Sequence, residues 1–100
     1  MYRLKLHRGV VKQFARLPKS DQQRLAEAIR GLSVDPRPKG CVNLREVIFR
    51  VRVGRYRIVY AVFDDMLVIV VVKVARRSEA TYKDLKTLIS KAGKMLEEQE

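Results

Sequence analysis

The feature that most constrains this chain is a change of period at its centre. Phe49, Val51 and Val53 alternate with Arg50 and Arg52; beyond Gly54-Arg55, the residues Tyr56, Ile58, Tyr60 and Val62 alternate with Arg57, Val59 and Ala61. A period of two sends successive side chains to opposite faces of a strand, so both runs read as strands. Gly54 stands where a two-residue type II′ turn wants glycine, so the strands form a hairpin. With Gly54 and Arg55 central, Val53 faces Tyr56, Arg52 faces Arg57 and Arg50 faces Val59. One face then carries Phe49, Val51, Val53, Tyr56, Ile58 and Tyr60, and the other carries Arg50, Arg52 and Arg57.

The flanking segments supply what packs on that hairpin. Tyr2, Leu4 and Leu6 alternate with Arg3, Lys5 and His7, a further strand. Val10, Val11, Phe14 and Leu17 recur at helical spacing until Pro18, and Ser20 with Gln23 makes a capping box for a second helix with Leu25, Ala28, Ile29 and Leu32 on its apolar stripe. That helix should stop near Val34, because Asp35-Pro36-Arg37-Pro38 disfavours helix and Gly40 follows. The segment from Asp35 to Asn43 reads as a basic loop. Asp64-Asp65 marks a turn, and Leu67 to Val74 is a nearly continuous apolar run suited to a strand buried on both faces. A capping box of Thr81 with Asp84 opens a final amphipathic helix from Tyr82 to Leu96. Its apolar stripe is to be covered by the chain's own sheet, or else by a partner. Gly93 and the glutamates at 97, 98 and 100 weaken its end. The order is β-α-α-β-β-β-α: an α+β domain over residues 1–100, an antiparallel meander with a helical pair on one face and a C-terminal helix.

Composition narrows the functions. The net charge is +11, which favours a polyanionic partner. No membrane-length apolar segment and no signal-peptide pattern are visible, and one cysteine, Cys41, cannot form an internal disulfide, so a cytoplasmic protein is expected. One histidine and one cysteine cannot make a His/Cys metal site or a two-histidine acid–base pair. Asp64 and Asp65 read as turn residues rather than a metal pair. No phosphate-binding loop, dinucleotide fingerprint or helix-turn-helix pattern is present. No cofactor or metal is expected.

Placement of the charge is more specific. Like charges directly opposite on a sheet are unfavourable, so Arg52 facing Arg57 argues for a face that receives phosphates. Around it Arg37, Lys39, Arg45, Arg50, Arg52, Arg55 and Arg57 are offset only by Glu46, and Arg76-Arg77 closes the last strand. The alternative is a solvated sheet face, which is often charged but usually mixes both signs.

The run Asn43-Leu44-Arg45-Glu46 followed by Phe49-Arg50-Val51-Arg52-Val53-Gly54-Arg55-Tyr56-Arg57-Ile58-Val59-Tyr60 resembles the hairpin motif of the RelE/ParE toxin superfamily, and the element order is similar over nearly the whole chain. RelE-type members cut mRNA in the ribosomal A site, whereas ParE-type members poison DNA gyrase. The resemblance implies a metal-free reaction in which a ribose 2′-OH attacks its own 3′-phosphate, leaving a 2′,3′-cyclic phosphate and a 5′-OH. By position, Arg50 and Arg52 fall on the family's basic pair, Arg57 on its hairpin arginine, Arg77 (or Arg76) on its arginine after the last core strand, and Tyr82 on its tyrosine beyond. The Arg77–Tyr82 ending points to the RelE type. Lysine at the strand pair in the best-known members is replaced here by arginine, a poor general base. The implied roles are phosphate binding by Arg50 and Arg52, transition-state stabilisation by Arg57 and Arg77, with Arg77 otherwise helping to protonate the leaving oxygen, and base stacking or 2′-OH orientation by Tyr82, which core packing would explain equally. Arg37, Lys39, Arg45, Arg55 and Arg76 are expected to contact RNA or ribosome. The implied partners are mRNA, the ribosome and an acidic, RelB-like antitoxin. The competing readings are a ParE-like inhibitor without nuclease activity and an RNA-binding member that does not cleave.

Overall fold

The structure, a computed structural model, describes residues 1–78 and 84–97. Strand β1 (Arg3–Leu6) leads to helices α1 (Arg8–Ala15) and α2 (Lys19–Val34), followed by β2 (Val42–Arg45), β3 (Ile48–Val53), β4 (Tyr56–Phe63), a single 3-10 turn (Asp64–Met66), β5 (Val68–Arg76) and α3 (Leu85–Glu97). The five strands form one sheet in the order β1-β5-β4-β3-β2. Strands β3 to β5 are the expected antiparallel meander; β2, a strand the sequence reading lacked, extends it antiparallel to β3, and β1 joins the opposite edge parallel to β5, with Arg3 beside Val68 and Leu6 beside Val71. The chain passes from β1 to β5 through both helices and strands β2 to β4, a connection long enough for a parallel pairing.

Three local details depart from the sequence reading. Val42 and Asn43 belong to β2, so the basic loop is shorter than Asp35 to Asn43. The Asn43 side-chain amide donates to the carbonyls of Glu46 and Ile48, holding the tight β2–β3 turn in which Glu46 adopts φ +50°. Helix α2 starts at Lys19 after Pro18, with no side-chain cap, so Ser20 lies inside the first turn. The Pro18 carbonyl already accepts the Gln22 N–H, and Gln22 Nε2 donates to the Leu17 carbonyl. At the β4–β5 corner Leu67 takes the left-handed conformation, φ +55°, that glycine usually supplies. The Thr81 half of the expected capping box lies outside the described residues; α3 is traced from Leu85, with the Leu88 N–H on the Asp84 carbonyl.

The sheet separates two apolar clusters. On one face Val10, Leu25, Ile29 and Leu32 from α1 and α2 cover Tyr56, Ile58, Tyr60, Val62, Ile69 and Val71. On the other, Leu88 and Ala92 of α3 cover Ile48, Val59, Ala61, Val68, Val70 and Val72. Val68 through Val72 are buried throughout, as a strand covered on both faces requires. Each fully buried aliphatic chain contributes about 1.5–3 kcal/mol of transfer free energy. Among the described residues no helix is long and apolar enough to cross a membrane.

Candidate nucleic-acid interface

The β3–β4 hairpin has the expected register: Arg50 pairs with Val59, Arg52 with Arg57, and Val53 with Tyr56. Gly54 sits at φ +59°, while Arg55 is absent from the positive-φ residues, as a type II′ turn demands. A Cβ at Gly54 would lie 2.8 Å from Nη1 of Arg24 on α2, so the turn is closely approached as well as left-handed.

Alternation sends Arg50, Arg52 and Arg57 to the face that also carries α3. The helix covers Ile48, Val59, Ala61, Val68, Val70 and Val72, and the arginines occupy the part nearer the hairpin tip. Arg52 is exposed, whereas Arg50 and Arg57 are half-buried. The Nε of Arg50 is buried and has no hydrogen-bond partner among the described residues. A buried donor left unused is costly, about 1–3 kcal/mol.

Arg77 is carried to the same end. Its N–H donates to the Arg55 carbonyl at 2.8 Å, extending the β4–β5 ladder to the turn. Arg76 pairs with Tyr56 and lines a pocket with Gln13, Arg16 and Leu17, on the α1 side of the sheet. Arg76 and Arg77 thus stand at the sheet's end with Arg76 turned away from the arginine face. Tyr82 lies outside the described residues.

Of the remaining basic residues, Arg55 and Arg37 are engaged by carboxylates. Arg55 Nη2 is 4.0 Å from Oδ2 of Asp21, a buried α2 carboxylate that also accepts the Tyr56 hydroxyl at 2.8 Å. That hydrogen bond, with burial, holds the Tyr56 hydroxyl above the ordinary tyrosine range. Arg37 forks onto Asp64, Nη1 to Oδ1 at 3.3 Å and Nη2 to Oδ2 at 2.6 Å, and stacks 5.2 Å from the Phe49 ring centroid. Asp64 also accepts the Tyr2 hydroxyl at 2.6 Å. Arg37 first, then Tyr2, holds the Asp64 carboxyl below its usual range. Phe49 stacks on Tyr60, whose hydroxyl donates to the Pro36 carbonyl and is pushed far up by burial. Arg37 therefore ties the 35–41 loop to the β4–β5 corner. Arg45 sits 3.7 Å from its neighbour Glu46, and Lys39 is exposed in a turn.

One cation of this face escaped the sequence reading. Lys73 pairs with Val59 beside a bulge, where β5 skips Val72, and its Nζ is 3.7 Å from Oδ2 of Asp84. It is the one charged residue within the apolar run of β5, and that interruption was its signal. The arrangement offers guanidinium donors: it can hold phosphate oxygens and neutralise developing charge.

Comparison with known proteins bears on this geometry. Residues 4–81 match the family model of the ParE toxin of the parDE type II toxin–antitoxin system. The candidate toxin RelE1 of Methanocaldococcus jannaschii is 31% identical over 88 residues, spanning 83% of this chain and 97% of the relative. Among solved structures, RelE in the archaeal RelE–RelB complex from Pyrococcus horikoshii superimposes with a TM-score of 0.73 at 32% identity, over 79% of this chain and 98% of that one. The isolated Escherichia coli RelE toxin shares the fold, with a TM-score of 0.69 at 19% identity over 96% of this chain and 99% of its own.

Proposed function

The chain belongs to the RelE/ParE family of type II toxin–antitoxin toxins, and on that premise we propose that it is an endoribonuclease that cleaves mRNA in the ribosomal A site. The observation that carries this reading is the arginine face: Arg52 directly opposite Arg57, flanked by Arg50 with an unused buried Nε donor. Two guanidiniums held against each other on a sheet are unfavourable by themselves and become favourable around an anion.

In the proposed reaction the ribose 2′-oxygen attacks the adjacent phosphorus and the P–O5′ bond breaks. A 2′,3′-cyclic phosphate forms, and a proton reaches the departing 5′-oxygen. Arg50 and Arg52 hold the non-bridging oxygens. Arg57 neutralises the crowded, doubly charged transition state, the kind of electrostatic stabilisation whose removal costs about 10²–10³ in rate. Arg77, beside the hairpin turn, assists at the leaving oxygen, and Tyr82 orients a base or the 2′-hydroxyl. None of these arginines serves as a base near neutral pH. The ribosome therefore supplies much of the rate by holding the strand in line, a positioning effect large enough to carry the step.

The RelE–RelB complex among the structural relatives supports an acidic antitoxin of RelB type as the physiological partner. A net charge of +11 favours its rapid capture. A second reading, a ParE-like inhibitor of DNA gyrase, is favoured by the ParE family model; the similarity to RelE proteins at 31–32% identity favours cleavage. Mapping mRNA 5′ ends during brief induced expression, with an Arg57→Ala control, separates them. In-frame cuts within translated codons that vanish in the control are expected. Growth arrest with intact mRNA would select the gyrase reading.

A further inference from the structure

Away from the arginine face, two cavities run into each other along the seam between α1 and α3, sharing His7 and Lys91. The outer one, about 620 Å³, is lined by Leu6, Val11 and Met95 with Arg8, Lys12, Lys91 and Lys94. The inner one, about 290 Å³, reaches Val72, Lys73, Asp84 and Leu88. Five full cations therefore meet one carboxylate, and that carboxylate is already engaged by Lys73 at 3.7 Å. The floor is apolar and its Val11 is 54% exposed. Lys5, whose Nζ donates to the Met95 carbonyl at 2.8 Å, pins the end of α3 against the sheet and fixes the groove's far wall.

The groove also has a direction. Its inner end lies at Lys73, which pairs with Val59, and two residues further along β5 Ala75 pairs with Arg57. The inner end of the cationic seam thus adjoins the arginine face. We infer that the α1–α3 groove is a track for single-stranded RNA, holding the phosphates that flank the segment bound on the arginine face. A single strand presents what this groove complements: a regular row of phosphates for the lysines, and base and ribose faces for the apolar floor. Adjacency to the arginine face selects the same strand rather than a separate RNA. The inference rests on the RNA-cleaving reading, and its test does not require cleavage.

The experiment measures binding of the intact protein to 2′-O-methyl RNAs of about 5 and about 14 nucleotides by fluorescence anisotropy at several salt concentrations. The variants are a Lys12→Glu, Lys91→Glu, Lys94→Glu triple and a Lys86→Glu control, since Lys86 is on α3 but does not line the groove. Each phosphate contact lowers the slope of log affinity against log salt by about 0.7 for single strands. The wild-type chain and the control should bind the long RNA more tightly than the short one. The triple variant should lose that gain, together with about 2 in slope, while keeping the short-RNA affinity. An unchanged length gain in a folded triple variant overturns the track. So does a groove that binds an acidic amphipathic peptide while RNA binding ignores the three reversals. Retained length dependence with no mRNA cut in cells would instead count against the nuclease reading and leave the track standing.

Discussion

Arg52 and Arg57 face each other across the β3–β4 ladder. Replacing one with a residue of good strand propensity and no charge should relieve the repulsion. Arg52→Thr is expected to lower cleavage while shifting unfolding free energy by no more than about 1 kcal/mol, read from urea denaturation. Full cleavage by the Arg52→Thr variant would mean that this side chain does not hold the phosphate. Asp64 is the reverse case, a carboxylate whose partners stabilise its charged form. Its lowered value means that its contribution is complete above the unfolded aspartate range, about pH 4, and is lost as pH falls through the folded value. Asp64→Asn should flatten the acid limb of stability below about pH 4, measured by urea midpoints, with little change in its shape above that. At this scale the arginine face was legible in the sequence, because strict alternation fixes side-chain direction. The Arg37–Asp64–Tyr2 cluster was not, since it joins residues 27 and 62 positions apart through loop geometry. Lys73 was hidden by a bulge, which alternation alone does not foresee.

Among the elements, the hairpin turn sets the spacing of the arginines. Gly54 is required twice, by its φ of +59° and by the approach of Arg24. Arg24 presents the far end of a flexible chain and can yield, so the backbone conformation sets the cost. Gly54→Ala should therefore lose about 1–2 kcal/mol, seen as a lower thermal midpoint, with the far-UV spectrum intact. The helices, β3, β4 and β5 were legible because each carries several periods of its pattern. β2 was not, since four residues after Gly40 and Cys41 give barely one alternation, and its register is held by the Asn43 side chain. The start of α2 was misplaced because Ser20-Gln23 matches a capping box, whereas Pro18 leaves the helix free to begin at Lys19. The parallel direction of β1 could not be read from its own four residues, because its partner β5 comes only after both helices and three further strands.

For the whole molecule, the sheet's two faces divide the work. One is wholly core beneath α1 and α2, and the other is shared between α3 and the arginines. The switch from Arg57 to Val59 and Ala61 on that second face marked the boundary in the sequence, where the surface passes from arginine side chains to helix packing. The charge of +11 is thereby resolved into places: an arginine face, a cationic groove adjoining it, and structural pairs such as Arg37–Asp64. The measurement that tests the nuclease reading most directly is incubation of the purified chain with ribosomes stalled on a defined mRNA, with product ends identified chemically. A cut in the A-site codon, bearing a 2′,3′-cyclic phosphate and a 5′-hydroxyl and slowed about 10²–10³-fold by Arg57→Ala, is the predicted result. Intact mRNA on every ribosome, or cleavage indifferent to Arg57, would contradict it.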